Sequence, residues 1–413
     1  MTLTISDLPR DLKKKIFSRI PLRYVRALRL TCKEWETLIK SRSLKIDEEE
    51  SQMVALMDYN LCLMSKSFNG GDPSTEIKGK LTCFDEQVKV SMLFHCEGLL
   101  LCILKDDNTK VVVWNPYLGQ RRFIQVRFSH IPGGWDQFSY ALGYYKNNNM
   151  MKSFKLLRFF DYFYTSNDFV FYEIYDFDSG LWKTLDVTPY WRIRFFDDIG
   201  VSLKGNTYWC AKERKPEWNA DPFIIVDHII CFDFTSERFG PLVPLPFRAM
   251  KESLVTLSCV REEKLAALFC RDVVVEVWIT TTIEFDKVSW SKFLTFGVRD
   301  CPMIYSCTGS FFIDEVNKVA VIFGQPLKRD KVFIIGEAGQ VRDVDLGEPA
   351  HQDSWLYVCP YVPSLVKIKQ PPGCKRRRQS SSENRRYKRN MMRLVELEKY
   401  HIAMEPKRGD KTI

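Results

Sequence analysis

Histidines and cysteines are the side chains of this sequence best suited to metal binding or catalysis. The histidines are far apart along the chain and form neither an HxH nor an HExxH pattern; they are His95, His130, His228, His351 and His401. The 13 cysteines include no CxxC pair and fall in apolar segments, which is typical of reduced thiols that fill a core. Because zinc sites place such ligands at short spacings, the sequence predicts no metal site.

Loops that carry catalytic groups are also missing from the sequence. It has no GxSxG nucleophile elbow, no GxxxxGK(S/T) phosphate loop and no GxGxxG dinucleotide loop. The adjacent acids Glu262 and Glu263 lie in a polar turn segment, where charge is usually solvated. His228 lies in the apolar run IIVDHIIC and is expected to be a packed strand residue. We therefore predict a protein that is not an enzyme and that needs no cofactor.

Aromatic residues beside polar ones are the remaining candidates for a binding surface. Nine of the 17 residues from Phe159 to Tyr175 are aromatic, and the run YWRIRFF follows from Tyr190. Most of these rings are expected to pack between strands, but exposed aromatic and arginine side chains can anchor a protein ligand. We predict that the residues contacting a protein substrate are Tyr164, Tyr190, Trp191 and Arg192.

Charge is concentrated at the two ends of the chain. Residues 1–45 carry 12 Lys+Arg against 4 Asp+Glu, and residues 370–413 carry 13 against 5. The 324 residues between them carry 36 against 43, so the body is mildly acidic, which disfavours nucleic-acid binding. No apolar run reaches the ~18 residues that a membrane span needs. The sequence therefore predicts neither a nucleic-acid nor a membrane partner.

Three short helices are predicted within the first 45 residues. Leu8, Leu12, Ile16 and Ile20 recur every fourth residue and so form one apolar stripe, which ends at Pro21. A second apolar face follows at spacings of three and four, made of Val25, Leu28, Cys32, Trp35 and Ile39. So short a unit rarely folds alone, and two interpretations remain open. It binds a partner, or it packs as a helical hairpin on the rest of its own chain.

These residues also match the pattern of a known family. LPRDL, the IP of SRIP, and CKEW followed by LI resemble the F-box over nearly all of residues 5 to 45. The resemblance implies docking on a Skp-type adaptor, which connects to a cullin and a RING subunit in a ubiquitin ligase. It assigns adaptor binding to Leu8, Pro9, Leu12, Ile16, Ile20, Pro21, Leu28, Cys32 and Trp35. Lys13, Lys14 and Lys15 depart from the pattern where an apolar residue and acidic ones are common.

The body of the chain repeats one unit of short apolar strands separated by polar turns. Trp114, Tyr175, Phe232, Trp278 and Ile335 occupy matching points, at intervals of 61, 57, 46 and 57 residues. Such a period is typical of four-stranded propeller blades, although two stacked antiparallel sheets would also suit strands of this length. A sixth unit could combine residues 53–65 or 81–95 with a strand around Trp355 to Val362, which would close the ring.

The same repeats resemble the type 1 F-box-associated domain of plant F-box proteins. The similar segments include GLLLC, YDFDSGLWK, GVSLKGNTYW and FDFTSERFGPL, and they extend from about Cys96 to Ile368. The predicted fold is α+β overall: a short α-helical F-box (1–45), a linker with first strands (46–88), an all-β domain that is a six-bladed, kelch-like β-propeller (89–368), and a disordered basic tail (369–413).

The basic tail contains two clusters separated by a polar spacer, as in a two-part nuclear import signal. They are Lys375, Arg376, Arg377 and Arg378, then Arg385, Arg386, Lys388 and Arg389. We expect the protein in the nucleus, the cytoplasm or both. The family resemblance favours the substrate-recognition subunit of a Skp–cullin–F-box ligase whose protein substrate is unknown. The alternative is a propeller that binds a partner without any ligase and keeps a vestigial F-box.

Overall fold

The structure is a computed structural model of the chain. It describes residues 9, 50–69, 72–81, 88–127, 138–147, 150–162, 169–193, 199–214, 224–250, 253–271, 274–297, 310–336, 341–351, 354–370 and 379–404. The predicted N-terminal helices therefore lie outside the described residues.

Within the described residues, the strands form six antiparallel sheets that follow one another along the chain. Sheet 1 consists of β26 (Tyr357–Pro360), β1 (Glu50–Met57), β2 (Asn60–Asn69) and β3 (Asp72–Lys80). Sheet 2 consists of β4 (Val90–Cys96), β5 (Leu99–Leu104), β6 (Lys110–Asn115) and β7 (Gln120–Gln125). Sheet 3 consists of β8 (Ser139–Lys146), β9 (Lys152–Tyr162), β10 (Phe169–Asp176) and β11 (Leu181–Leu185).

The other three sheets continue the same pattern. Sheet 4 consists of β12 (Trp191–Ile193), β13 (Val201–Leu203), β14 (Asn206–Glu213), β15 (Ile224–Asp233), β16 (Arg238–Phe239) and β17 (Val243–Met250). Sheet 5 consists of β18 (Leu254–Val260), β19 (Lys264–Arg271), β20 (Val274–Ile283) and β21 (Val288–Gly297). Sheet 6 consists of β22 (Ser310–Asp314), β23 (Val319–Gly324), β24 (Asp330–Gly336) and β25 (Val341–Gly347). A 3-10 helix spans Pro326–Lys328, and the helix α1 spans Ser381–Met404.

Strand β5 shows why these sequences form a ring of sheets rather than one open sheet. Its sequence is LLLCIL, all six side chains are buried, and alternate ones point to opposite faces. Leu99, Leu101 and Ile103 pack in a cluster shared with sheet 3. Leu100, Cys102 and Leu104 pack in a cluster shared with sheet 1. Burying one leucine side chain contributes about 1.5–3 kcal/mol, so each sheet is stabilised by a neighbour on either side.

The ring is closed by strands from the two ends of the described β region. Strand β26 pairs with β1, and the register places Met53 opposite Pro360 and Leu56 opposite Tyr357. The first strands of successive sheets contact each other around a common axis, and β26 contacts both β4 and β22. These contacts give a six-bladed β-propeller. The prediction that the two ends share one blade is confirmed.

The segment after β26 fixes this closure by crossing from sheet 1 to sheets 2 and 3. Gly98 has a φ of +74°, and a Cβ there would lie 2.4 Å from the Cβ of Ser364, so the turn needs glycine. Asn115 Nδ2 donates to the carbonyls of Ser364 (2.9 Å) and Val366 (2.7 Å). Ile368 is buried with residues of sheets 2 and 3.

Two sequence-based expectations need correction. The propeller begins at Glu50 rather than at residue 89, because the first strands predicted within residues 46–88 form one blade with β26. The tail is helical over Ser381–Met404, whereas its sequence predicted a disordered tail with a short amphipathic helix over residues 391–404 only. Tyr387 and Met391 of α1 pack against the cluster shared by sheets 2 and 3, and this contact supplies the apolar burial that the tail cannot supply by itself.

Candidate interaction surfaces

The propeller has two faces, which the chain path distinguishes. We call lower the face at which the first, innermost strand of each blade ends and the second strand begins. The chain enters β1 at Glu50 here, and β26 ends here, where the amide of Tyr361 donates to the carbonyl of Gln52 at 3.0 Å. At the upper face, the second strand of each blade turns into the third, and the last strand leads to the first strand of the next blade. Glu50, the first residue of β1, therefore lies at the lower face.

The predicted substrate contacts differ in where the structure places them. The side chain of Tyr190 is half exposed (51%), and its carbonyl accepts from the amide of Arg214 (2.8 Å) at the upper end of β14. Trp191 is only 6% exposed, and its ring centroid lies 5.0 Å from that of Phe239. The prediction that Trp191 contacts a substrate is therefore wrong, because its ring is part of the core between sheets 3 and 4. Tyr164 lies outside the described residues.

Arg192 is half-buried and lies opposite Lys212 in the pairing of β12 with β14. Burial, followed by the nearby charge of Arg192, lowers the pKa of Lys212, while Asp227 opposes the shift. Two cations held side by side favour an acidic group in a partner. Of the predicted substrate contacts, Tyr190 and Arg192 thus remain suited to that role.

A second group of cations lies at the upper face between sheets 1 and 2. Lys105 Nζ is 3.6 Å from the ring centroid of Tyr59, in the turn between β1 and β2. Lys89 Nζ is 3.1 Å from His351 Nε2, and the His351 ring lies 5.5 Å from that of Tyr59. The sequence analysis missed this group because its members are far apart along the chain and belong to no motif. The group also includes Asp58, whose Oδ1 accepts from the amide of His351 at 3.0 Å, so two lysines stand against one carboxylate.

The junction of sheets 2 and 3 holds a chain of alternating charges. Arg158 Nη1 donates to Glu173 Oε1 at 2.8 Å, and Arg127 Nε lies 3.2 Å from Glu173 Oε2. Arg127 Nη1 donates in turn to Glu383 Oε1 of α1 at 2.8 Å. Burial alone would raise the pKa of Glu383, but hydrogen bonds from Thr184 and Arg127 hold that pKa below its usual value. The helix is therefore held to the propeller by an ionised carboxylate.

The thiols of the described residues are poorly suited to nucleophilic or redox chemistry. Burial raises the pKa of four of them to about 12: Cys96, Cys231, Cys259 and Cys359. A reactive thiol needs the opposite shift, because the thiolate is the nucleophile. The eight cysteines that the structure describes are free, and within the same residues no group of three His, Cys, Asp or Glu side chains could hold a metal ion. No helix in the described part of the chain is long and apolar enough to cross a membrane.

Most of the residues predicted for adaptor binding and nuclear import lie outside the described residues. Pro9 is described and exposed, whereas the other adaptor-binding candidates lie outside the described residues, as do Lys375 to Arg378. The second basic cluster lies on α1. Arg385, Lys388 and Arg389 are exposed there, while Arg386 forms an ion pair with Asp186, next to β11.

Comparison with known proteins finds matches for both predicted units. Residues 5–47 match the family described as the F-box domain, and residues 52–368 match the F-box associated beta propeller domain. The chain is 56% identical to an F-box protein of Arabidopsis thaliana, over 98% of this chain and 97% of the relative. It is 50% identical to an F-box/kelch-repeat protein of the same plant, over 94% of this chain and 95% of the relative. Both resemblances noted in the sequence are confirmed.

One further relative carries a name that points to redox chemistry. A protein of Arabidopsis thaliana named peroxiredoxin-2A is 49% identical, over 92% of this chain and 71% of that protein. The raised pKa values of the buried thiols in the present chain give no support to a peroxidase site among the described residues.

Proposed function

We propose that this chain, which belongs to the F-box proteins that carry an F-box associated β-propeller domain, is the substrate-recognition subunit of a Skp–cullin–F-box ubiquitin ligase. Its F-box binds a Skp-type adaptor, and through the adaptor a cullin and a RING subunit. Its propeller binds the protein that is to be ubiquitinated. F-box proteins are generally non-catalytic, so the transfer of ubiquitin would be carried out by other subunits of the complex.

The observation that supports this proposal is the position of Glu50, where the chain enters the ring at its lower face. The F-box region precedes Glu50 in the chain. Tyr190 with Arg192, and the Lys89–Lys105 group, belong to the upper face. A target held at the upper face would leave the lower face free for the adaptor side of the complex.

The strands themselves have little freedom to bind a partner. Both faces of β5 are covered, and every blade packs on its neighbours through such residues. Recognition then belongs to the loops at the rim, which can vary without loss of the core. The exposed ring of Tyr190 and the cations of the upper face suit a protein or peptide with acidic groups.

Co-purification with a Skp-type adaptor is the direct test. The full chain should retain the adaptor, and a variant with Leu8→Ala and Pro9→Ala should lose it while the melting temperature of the propeller stays unchanged. Equal retention of the adaptor by the variant and the native chain would contradict the assigned role of these residues. Proteins that co-purify with the chain and accumulate when the cullin is inhibited would identify the target.

We also propose that the protein enters the nucleus through the two basic clusters of the tail. The charge of these clusters and the exposure of Arg385, Lys388 and Arg389 on α1 support this proposal.

A further inference from the structure

We propose that the recess between sheets 2 and 3, now filled by the start of α1, is a binding site for an acidic segment of a partner protein, and that α1 is its displaceable internal ligand. The recess is defined by Arg127, Phe171, Trp182 and Thr184. This inference rests on the proposed function only in taking the partner to be a ubiquitination target.

Glu383 occupies the recess as a bound carboxylate would. Its Oε1 accepts from Arg127 Nη1 (2.8 Å), from the backbone amide of Thr184 (2.8 Å) and from the hydroxyl of Thr184 (2.6 Å). Three donors converging on one carboxylate oxygen make a charge-assisted site that is specific for an anion. The donors belong to the propeller, and the acceptor belongs to the tail.

The same contacts cover the outer edge of sheet 3. Strand β11 is the last strand of that sheet, so the outward-pointing groups of its backbone have no neighbouring strand. The amide of Thr184 is satisfied by Glu383, and the carbonyl of Trp182 accepts from the side-chain amide of Gln379. If α1 leaves, this edge of β11 is exposed, and a partner segment can form main-chain hydrogen bonds with it.

The charge of the recess does not match the charge of the helix that fills it. Without α1, Arg127 would lose its contact with Glu383, and the nearby carboxylate of Glu173 is shared with Arg158. The segment 379–404 is itself basic, with six Lys+Arg against three Glu. Glu383 supplies the required negative charge, and the ion pair of Arg386 with Asp186 offsets part of the remaining repulsion. A segment with more acidic groups would complement the recess better than α1 does.

The apolar contact of α1 is small enough to be given up. Tyr387 packs its ring 6.0 Å from that of Phe171 and 4.7 Å from the guanidinium carbon of Arg127. Met391 adds one further partly buried side chain, whereas Met392 is 66% exposed. Among the described contacts, α1 is held by these two partly buried side chains, by the carboxylate of Glu383, by Gln379 and by the ion pair of Arg386 with Asp186. All of them lie in or just before the first half of the helix, so a competitor of similar chemistry can exchange with it.

A fluorescent peptide with the sequence of residues 379–393 tests this inference when it carries Arg385→Glu, Lys388→Glu and Arg389→Glu. The substituted side chains are exposed on α1, so the peptide keeps Glu383, Tyr387 and Met391. Its affinity for the full-length native chain is compared with that for full-length Glu383→Gln, in which the internal ligand is weakened. Full-length Glu396→Gln is the matched control, because it makes the same chemical change at an exposed position of the same helix.

We expect the peptide to bind Glu383→Gln roughly tenfold more tightly than the native chain or Glu396→Gln, because the competing state is less populated. Saturating peptide should also speed amide hydrogen exchange over residues 381–391 of the native chain. Thr184→Val added to full-length Glu383→Gln should weaken peptide binding relative to Glu383→Gln alone, since a hydroxyl donor is lost while the strand keeps a β-branched residue.

Equal affinity of the peptide for the native chain and Glu383→Gln, with unchanged exchange in α1, would overturn the inference. So would equal affinity for the peptide that keeps Arg385, Lys388 and Arg389, because selection for acidic segments would then be absent. Adaptor pull-down by Glu383→Gln separates this inference from the proposed function. A variant that keeps the adaptor but shows no change at the recess refutes the inference alone.

Discussion

Arg158 and Glu173 form an ion pair from which solvent is completely excluded. The two residues lie opposite each other on β9 and β10, the Nη1 to Oε1 distance is 2.8 Å, and both side chains are 0% exposed. The guanidinium carbon of Arg158 lies 3.6 Å from the ring centroid of Phe138, which immediately precedes β8 and packs in the cluster shared by sheets 2 and 3. A pair buried in this way stabilises little by itself, but the loss of one partner leaves an isolated charge in the core.

Glu173→Gln should therefore lower the free energy of unfolding by about 3–5 kcal/mol, measured by urea denaturation. Glu348→Gln is the control, because Glu348 pairs with Arg329 at the surface, where an ion pair contributes about 0–1 kcal/mol. A loss below about 1 kcal/mol in Glu173→Gln would show that Arg158 is satisfied without its partner.

Tyr190 and Trp191 should respond oppositely to truncation although they are neighbours in sequence. Trp191→Ala should cost about 3–5 kcal/mol of stability, since a buried indole leaves a cavity. Tyr190→Ala combined with Arg192→Ala should leave stability within about 1 kcal/mol and weaken target capture. Thermal melting and capture of the identified target are the measurements. Normal capture by the double variant would place the recognition surface elsewhere on the upper face.

The stability of the propeller should fall as the pH is lowered from about 6.5 to 4 because of His95. Burial is the main cause that lowers the pKa of His95 to about 4, and Glu97 opposes it; His95 Nε2 accepts from the amide of Gly98 at 2.9 Å. In the unfolded chain the His95 imidazole has a pKa near 6.5, so between pH 6.5 and 4 it binds a proton that it does not bind in the folded chain. The contribution is thus complete above pH 6.5 and is lost as the pH falls through 4.

The size of this effect should be on the order of 1–2 kcal/mol, because the imidazole is only partly buried. Urea denaturation at several pH values, compared with His95→Gln, isolates it from the titration of the carboxylates. The difference in stability between the two proteins should shrink as the pH falls. A difference that stays constant from pH 7 to 4 would mean that His95 titrates alike in both states.

Neutralising the first basic cluster should reduce nuclear accumulation. Lys375→Ala, Arg376→Ala, Arg377→Ala and Arg378→Ala together remove four positive charges outside α1, so the helix and its contacts should persist. Arg377→Lys with Arg378→Lys keeps the charge and is the control. The nuclear fraction of a fluorescent fusion is the measurement. An unchanged fraction in the neutralised variant would refute the import proposal.

The repeated strands could be predicted from the sequence because each blade buries similar apolar strands against its two neighbours. Trp114, Tyr175, Trp278 and Ile335, chosen as matching points, lie on the third strand of their sheets. Phe232 lies on β15, which is third in the pairing order β12–β14–β15 of sheet 4. An apolar strand followed by a polar turn is a local signal, and it recurs at the period of the blade.

The errors came from contacts that join distant parts of the chain. Trp191 lies in a polar sequence, and its burial depends on Phe239 of the same sheet and on residues of sheet 3. Glu383 of α1 contacts Arg127 and Thr184, which lie 256 and 199 residues earlier in the chain, so the composition of the tail could not reveal these contacts. The carboxylate recess was missed for the same reason.

Strand β26 has a consequence for how the protein is made. Met53 leaves the ribosome long before its partner Pro360, and until then the first blade lacks its innermost strand. The F-box region emerges first, so a nascent or truncated chain could engage an adaptor before any closed ring exists to select a target. Pairing between such distant segments is slow to form. Premature termination of translation before β26 would thus yield truncated chains whose propeller is open. Such chains would compete with the full-length protein for the adaptor.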